Sequence, residues 1–440
     1  MTQVQSLPIT VFWMRRDLRL FDNAALYHAL KKENPVLCVF IYDKEILLRL
    51  ENKKDKRMTF IHDTLFEIKK QLNEKGSDLL LIHDSPINAW KGLIEKYEIR
   101  AVFSNRDYEP YATKRDKEVS KLLSENGIKL NLCKDQVIFE PNEITKPDGT
   151  PYIIYTPFSN KWLAQINSFY LKSYSTKKYH HRLLQVTGFR LFTLDELGFE
   201  KVDFEIPVLN LAESIIGHYS ETRDFPAIEK GTSQLGLHLR FGTVSIRQLA
   251  SKALRLNQTF LKELIWREFF MHILFHYPGV ENQCFRKEYE NIKWRNNEEE
   301  FEKWCKGETG YPLVDAGMRE LNATGFMHNR VRMVVASFLT KHLLIDWRWG
   351  ERYFAEKLLD YDLSANVGNW QWAAGCGCDA APYFRVFNPY TQAEKFDSEG
   401  KYIRKWIPEL ETFNYPQPIV EHKMARERVL KEFKKALEKV

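Results

Sequence analysis

The residues best suited to chemistry lie in the second half of the 440-residue chain, where charged side chains alternate with tryptophans. In KELIWREFFMH (262–272), Glu263, Trp266, Arg267 and Phe270 recur at i, i+3, i+4 and i+7, so a helix places them on one face. Charged side chains are rarely buried unless they are paired or take part in a reaction. The segment therefore predicts either an intrahelical salt bridge beside a packed face or a polar binding site.

A second set of polar residues follows in NATGFMHNRVRMVVASFLTKHLLIDW (322–347). The pattern of this segment predicts one long helix after a glycine turn. Asn329 and Met333 are stacked at i and i+4, and Arg330 and Arg332 flank them. Taken alone, these polar residues are as consistent with a solvated helix as with a binding surface.

Carboxylates and an amide occur in LLDYDLSANVGNWQW (358–372). Asp360 and Asp362 fall in an irregular segment, where they can accept hydrogen bonds from a polar ligand or pair with Arg332. Asn366 adds a neutral amide. A structural role for the two aspartates is the alternative.

Two tryptophans are separated by one residue in the same segment. In a helix, the directions of Trp370 and Trp372 diverge by about 160°, so they need not face one ligand. Cys376 and Cys378 follow without a second Cys or His pair at ligand spacing, and we expect no metal site. The role of these two cysteines is open.

A hydroxyl-rich turn in EKGTSQLGLHLRFGTVS (229–245) contains Thr232 and Ser233 at a predicted helix start. Backbone N–H groups and hydroxyls at a helix N-terminus can bind phosphate. Simple N-capping of the helix is the alternative.

The composition is that of a soluble globular protein, with 44% hydrophobic and 28% charged residues. No stretch approaches twenty apolar residues and no signal peptide is recognisable, so we expect no membrane partner and a cytoplasmic location, nucleoid-associated in a prokaryote. The net charge of +6 is compatible with a polyanionic partner. Six scattered cysteines indicate reduced thiols.

The order of predicted elements indicates an α/β section followed by an all-α section. Strand-like runs such as ITVFWM and PVLCVFIYD alternate with amphipathic segments, which predicts a doubly wound parallel sheet in residues 1–139. Residues 140–205 read as an interdomain connector, and residues 206–440 as a helical domain with most of the tryptophans. No G-x-G-x-x-G or Walker A motif is present.

Several motifs together resemble the photolyase and cryptochrome family of blue-light flavoproteins. They are FWMRRDLRLFDNAAL, DYEPYATKRD, GTPYIIYTPFSNKW, GTSQLGLHLRFGTVS, ELIWREFF, GYPLVDAGMRELNATGFMHNRVRM and NWQWAAGCGCDAAPYFRVFNPYTQAEKFD. The resemblance covers about residues 9–410 and is nearest to the class I cyclobutane pyrimidine dimer photolyases. It implies an N-terminal antenna domain, a C-terminal helical domain that binds FAD and damaged DNA, and a light-driven carbon–carbon lyase activity.

The resemblance also implies roles for individual residues. Those matching the cofactor-binding positions are Tyr219, Thr232, Ser233, Leu235, Arg267, Arg332, Asp360, Asp362 and Asn366. Those matching positions that contact or convert the flipped-out lesion are Glu263, Trp266, Asn329, Arg330, Met333 and Trp372. Those matching an electron-transfer chain from the flavin to the surface are Trp370, Trp347 and Trp294.

Other functions within the family stay open. A cryptochrome photoreceptor is one alternative, and a (6-4) photolyase is another. Asn105 and Glu109 match positions near a second antenna chromophore, which could be methenyltetrahydrofolate, a deazaflavin or a flavin. We expect a monomer that binds pyrimidine dimers in double- or single-stranded DNA and has no obligate protein partner.

Overall fold

The computed structural model describes residues 7–438 and divides the chain into two compact units. The α/β unit consists of the described residues up to Glu143 together with Gln165–Leu209 and Leu235–Lys252. The helical unit consists of Ile144–Ala164, Asn210–Gln234 and the described residues from Ala253 onward. Residues 140–205 are thus divided between the two units, and Leu235–Lys252 is grouped with the α/β unit.

A five-stranded parallel sheet forms the centre of the α/β unit, in the order β3-β2-β1-β4-β5. The strands are Ile9–Met14 (β1), Val36–Asp43 (β2), Leu79–Asp84 (β3), Ile99–Asn105 (β4) and Lys129–Cys133 (β5). Every residue of β1 and β2 is buried. Apolar clusters cover both faces of the sheet, which explains why these strands are continuous hydrophobic runs. The predicted parallel sheet is confirmed.

Helices make up most of the remaining described residues. The α-helices are Ala24–Leu30 (α1), Lys44–Leu47 (α2), Lys56–Asn73 (α3), Pro86–Lys96 (α4), Pro110–Glu125 (α5), Tyr155–Gln165 (α6), Glu213–Gly217 (α7), Tyr219–Thr222 (α8), Gly236–Phe241 (α9), Ile246–Leu256 (α10), Gln258–His276 (α11), Glu298–Lys306 (α12), Pro312–Thr324 (α13), Asn329–Ser337 (α14), Trp347–Lys357 (α15), Leu363–Ala374 (α16), Pro389–Phe396 (α17), Lys401–Trp406 (α18) and His422–Leu437 (α19). Short 3₁₀ turns occupy Thr176–Arg182, Asp195–Leu197, Pro278–Glu281 and Lys287–Asn291. No helix within residues 7–438 has the length and hydropathy to cross a membrane.

The helical unit is built around one large apolar core. Trp304, Trp347 and Trp370 are fully buried in it, and residues of α13, α14 and α16 supply much of the rest. Aromatic rings bury more apolar surface than any other side chain, so these indoles are major contributors to the stability of the core.

The glycine turn predicted within residues 322–347 is present at Gly325, but the single long helix predicted after it is wrong, because the helix is interrupted after α14. Gly325, with φ of +78°, ends α13 in a left-handed conformation that glycine adopts without strain. After α14, the segment Phe338–His342 forms a π-helical turn, and Leu344 has φ of +52° before α15 starts at Trp347. Buried Lys341 lies in this turn and its Nζ donates to the carbonyl of Arg385 at 2.8 Å, so tertiary contacts outweigh helix propensity here.

Candidate active site

Helix α11 carries the first predicted set of polar residues. It begins after Asn257, whose side chain accepts hydrogen bonds from the backbone N–H groups of Thr259 and Phe260. The Glu263 carboxylate accepts a hydrogen bond from the guanidinium of Arg223, which lies outside the helix. Although burial lowers the pKa of Arg223, Glu263 raises it overall. Glu263 therefore pairs with a cation from another part of the helical unit.

The ring of Trp266 is held in an aromatic cluster. It stacks face to face on Tyr155, with ring centroids 3.6 Å apart and an interplanar angle of 5°. On the same helix, the ring of Phe270 lies 5.5 Å from Trp266, and Arg267 follows Trp266 directly. The indole is thus fixed by its neighbours, while its exposure remains intermediate.

Helix α14 and the segment before α16 are joined by an ion pair. Arg332 donates from Nη2 to Asp360 Oδ2 at 2.9 Å and from Nε to the carbonyl of Met327 at 2.7 Å. Asp360 Oδ1 is buried and has no hydrogen-bond partner in the structure. A buried carboxylate oxygen without a donor costs free energy, so a ligand donor is the natural partner of this atom.

A pocket of about 590 Å³ opens between α14, α15 and α16 in the helical unit. Eight of the predicted site residues line it: Asn329, Arg332, Met333, Asp360, Asp362, Asn366, Trp370 and Trp372. Local signals explain part of this arrangement, because Asp362 caps α16 by accepting a hydrogen bond from the N–H of Ala365. Residues from separate segments therefore meet around one cavity.

Asn366 has a defined amide orientation at this pocket. Its Nδ2 donates to the carbonyl of Glu351 at 3.0 Å and to Glu351 Oε1 at 2.9 Å. Burial raises the pKa of Glu351, although the hydrogen bond from Asn366 opposes the shift. With Nδ2 engaged, the oxygen of the amide is left to accept a hydrogen bond from a ligand.

The three tryptophans of the predicted electron-transfer chain belong to the same core region. Trp370 and Trp347 are buried, and Trp294 is half-buried and packs against the cluster. The ring of Trp370 contacts Phe354 at 5.0 Å and Trp304 at 6.2 Å between centroids. Burial decreases from Trp347 to Trp294.

The predicted phosphate-binding stretch differs from the expected local structure. Thr232 and Ser233 precede the helix instead of starting it, because α9 begins at Gly236 and Leu235 occupies its N-cap position. Gln234 has φ of +50°, which interrupts the backbone before the helix. Tyr219 starts α8, and its ring packs edge-on against Phe260 at 5.0 Å. None of these residues lines the pocket described above.

Arg330 faces a separate basic cavity. Its Nη2 donates to Asp224 at 2.7 Å, and its guanidinium lies 4.3 Å from the ring centroid of Phe396. Arg385 and Lys395 also line this cavity, whose volume is about 710 Å³. Cationic side chains beside aromatic rings are suited to a nucleic acid backbone.

The two candidate antenna residues of the α/β unit are engaged within that unit. Asn105 donates to Asp17 Oδ2 at 2.6 Å and to Asn23 Oδ1 at 2.9 Å. Glu109 accepts a hydrogen bond from Arg16 at 2.8 Å and a second from Arg240. Within residues 7–438, no group of three or more His, Cys, Asp or Glu side chains is arranged to hold a metal ion.

Three residues near the predicted set were not identified from the sequence. They are Arg223, which pairs with Glu263, Tyr155, which stacks on Trp266, and Glu351, which orients Asn366. Tyr155 lies in GTPYIIYTPFSNKW, one of the motifs that resemble the family, and this motif was the only sequence signal that could have identified it. The other two are single charged residues whose partners are remote in the sequence.

The fold and the pocket define a two-unit protein with a Rossmann-like parallel sheet and a helical ligand-binding unit. Two family models match the chain: one described as DNA photolyase over residues 10–177, and one described as FAD binding domain of DNA photolyase over residues 260–414. The chain belongs to the DNA photolyase family.

Individual relatives agree with this assignment. The deoxyribodipyrimidine photo-lyase of Synechococcus sp. is 36% identical, over 95% of this chain and 95% of its own length. A bacterial class III photolyase from Agrobacterium tumefaciens superposes with a TM-score of 0.87 at 32% identity, covering 100% of both chains. The archaeal photolyase from Sulfolobus tokodaii, solved with two FAD molecules, gives a TM-score of 0.84 at 35% identity and covers 97% of this chain and 99% of that one.

Proposed function

We propose that this protein repairs cyclobutane pyrimidine dimers in DNA as a light-driven, FAD-dependent lyase. The observation that carries the proposal is the pocket that brings Asn366 and the Arg332–Asp360 pair together with Trp372 and Met333. The first three are polar groups suited to a flavin, and the last two are apolar groups suited to a base. A relative 36% identical over nearly the whole chain is named deoxyribodipyrimidine photo-lyase.

The residues around the pocket fit an FAD cofactor. Asp360 Oδ1 lacks a donor, the Asn366 oxygen is left to accept, and Arg332 supplies a cation beside them. A flavin ring system presents both N–H donors and carbonyl acceptors at its polar edge, so it complements this set. In the proposal, Tyr219, Thr232, Ser233, Leu235 and Arg267 contact the phosphates, and Asp362 lies near the ring. When bound and reduced, FAD supplies on illumination the electron that opens the dimer.

The lesion must leave the duplex to reach such a pocket. Flipping a base out of the stack costs a few kcal/mol, and the cost is smaller for a damaged pair. In our proposal Trp266, Trp372 and Met333 provide apolar surfaces for the flipped bases, and Asn329 provides an amide for their polar edges. Arg330 holds the adjacent phosphodiester, which makes affinity fall with salt.

Glu263 acts on the lesion through a charged pair in this proposal. The Glu263 carboxylate accepts a charge-assisted hydrogen bond from Arg223 and has lone pairs for further donors. Glu263 then accepts from an N–H of the pyrimidine edge, while Arg223 supplies positive charge near the carbonyl oxygens. Because this charge is already in place, it stabilises the extra electron on the dimer without reorganisation.

The proposal extends to the indole chain and to a second chromophore. Trp370, Trp347 and Trp294 return electrons to the cofactor site from the surface. A second chromophore, which could be methenyltetrahydrofolate, a deazaflavin or a flavin, is bound by the α/β unit near Asn105 and Glu109; the two FAD molecules in the Sulfolobus tokodaii relative support this part. We further propose a monomer located in the cytoplasm, associated with the nucleoid if the source is prokaryotic.

The decisive experiment is illumination of the reduced, FAD-loaded protein with dimer-containing oligothymidine, followed by the recovery of thymine absorbance. We expect recovery in light and none in the dark. Glu263→Ala should lower the splitting yield without changing the flavin absorbance, and Glu263→Gln is the matched variant that keeps the side-chain shape. Light without recovery, although FAD and DNA are bound, would contradict dimer repair and favour a photoreceptor.

A further inference from the structure

We propose that Tyr155 is a positioning residue that holds Trp266 in the orientation needed to receive the flipped pyrimidine. This inference rests on the proposed function, because it concerns how the dimer is recognised. Tyr155 is the first residue of α6, and the only role the sequence offered for its motif, GTPYIIYTPFSNKW, was family resemblance.

The contact between the two rings is unusually complete. The centroids lie 3.6 Å apart and the planes differ by 5°, so the phenol ring stacks face to face on the indole. Phe269 packs edge-on against both rings, 5.8 Å from Tyr155 and 5.7 Å from Trp266. Trp266 therefore cannot rotate about its χ angles without breaking the stack on Tyr155 and the edge contact with Phe269.

Tyr155 is itself anchored at both ends. Its phenol donates to the carbonyl of Lys262 at 2.9 Å, and its backbone N–H donates to Asp379 Oδ2 at 3.1 Å. The residue is buried, with 9% of its surface exposed. A ring fixed in this way supports its neighbour; it would not readily swing out to make room for a base.

The anchoring point of the phenol links Tyr155 to a second predicted lesion contact. Lys262 immediately precedes Glu263, so the same phenol holds the helical turn that presents the carboxylate. Burial raises the pKa of Tyr155 to about 12, and Glu263 adds to this shift, which agrees with their proximity. The phenol therefore stays protonated and remains a donor at neutral pH.

The physical effect is preorganisation of the binding slot. If Trp266 adopts several rotamers, only the fraction in the productive orientation binds, and the apparent dissociation constant rises in inverse proportion to that fraction. One aromatic pair contributes about 0.5–1.5 kcal/mol beyond its buried area, which corresponds to about a tenfold change at the upper end.

The test measures the affinity of FAD-loaded protein for DNA in the dark. In Tyr155→Leu, we expect the dissociation constant for dimer-containing DNA to rise about tenfold. The constant for undamaged DNA and the flavin content should not change. In light, KM for the dimer should rise while kcat stays constant, because the cofactor is untouched. Tyr155→Phe keeps the stack and should restore nearly all of the affinity.

Tyr311→Leu is the matched control. Tyr311 is also buried, packs on Phe338 with centroids 4.8 Å apart, and donates its phenol to the carbonyl of Val420 at 2.6 Å. Its loss removes equivalent contacts from a different part of the core. We expect lower thermal stability and an unchanged preference for dimers. An equal loss of preference in both variants would overturn the inference, since general destabilisation would then be the cause.

A double-mutant cycle completes the test. In a Trp266→Leu background, Tyr155→Leu should have no further effect relative to Tyr155→Phe, because both lack the phenol hydroxyl and only the stacking ring differs; additive effects would overturn the inference. Tyr155→Met, which is similarly large but not planar, replaces the leucine variant if that protein does not fold. Wild-type affinity also separates the two proposals: no preference for dimers in the wild type contradicts the proposed function, whereas a wild-type preference that survives in Tyr155→Leu contradicts only the role of Tyr155.

Discussion

One aspartate in each unit, buried Asp135 and half-buried Asp360, shows how a fully bonded carboxylate differs from one that has an oxygen left for a ligand. In the α/β unit, Asp135 uses both carboxylate oxygens: Oδ2 accepts from Arg19 at 2.7 Å and Oδ1 from Arg247 at 2.7 Å. In the helical unit, Asp360 uses only Oδ2, which pairs with Arg332, and Oδ1 has no partner. A fully bonded carboxylate stabilises the fold, whereas an incompletely bonded one can form a new contact with a ligand.

The largest predicted effect is on the stability of the α/β unit. Asp135→Ala should lower the free energy of unfolding by about 3–5 kcal/mol, because it leaves the buried guanidinium of Arg19 without its anion and removes one of the two carboxylates that pair with buried Arg247, the other being Asp22. Urea denaturation of the purified variant measures this loss. A loss below about 1 kcal/mol would show that the network is more solvated than the comparison assumes.

The second prediction concerns cofactor retention. Asp360→Ala should weaken FAD binding about 10- to 100-fold, since a hydrogen bond to a charged group contributes about 1.5–3 kcal/mol. The flavin-to-protein absorbance ratio after dialysis measures it. In the flavin-free state, Asp360→Ala should lower the free energy of unfolding by less than Asp135→Ala does. Unchanged flavin content would mean that Asp360 is structural after all, and the contrast between the two aspartates would fail.

The third prediction uses pH to distinguish the units. Burial, followed by the charge of Arg332, lowers the pKa of His328 to about 4. The unfolded imidazole binds a proton below about pH 6.5, so between these values the unfolded state holds more protons and stability falls as the pH falls. At pH 5 this loss is about 2 kcal/mol relative to pH 7.

His328→Asn is the variant that tests this pH dependence. Asparagine retains the N-cap function that His328 has for α14, so helix stability is largely preserved. The variant should lose less stability than the wild type between pH 7 and pH 5 in urea titrations. Asp135 behaves differently: burial raises its pKa, but Arg19 and Arg247 lower it overall, so its contribution is lost only below the ordinary aspartate range. Identical pH profiles for variant and wild type would contradict the prediction.

The smallest predicted effect comes from an exposed ion pair. Lys401 and Glu399 are 2.6 Å apart, with about two thirds of each side chain exposed. Water and salt screen such pairs, so Glu399→Ala should leave the urea midpoint unchanged. A measurable decrease in the urea midpoint would show that burial does not explain why Asp135 contributes more to stability than surface charges do.

Much of the candidate site could be predicted from the sequence because its signals are local. The i, i+3, i+4, i+7 spacing around Glu263 predicted α11, and the irregular segment before α16 was expected to hold Asp360 and Asp362. The helix over residues 322–347 could not be predicted correctly. Its apolar periodicity is helical throughout, and only packing around Lys341 and the backbone at Leu344 interrupt it.

The sequence by itself determined the elements, their order and the residue types available for chemistry, because burial periodicity, caps and breakers act over a few neighbouring residues. Only the tertiary structure decided the partners. Arg223 pairs with Glu263, Tyr155 stacks on Trp266, and Asp360 keeps one oxygen free of partners. Each of these depends on which remote segments pack together, and long-range packing leaves no spacing in the sequence from which such a pair could be recognised.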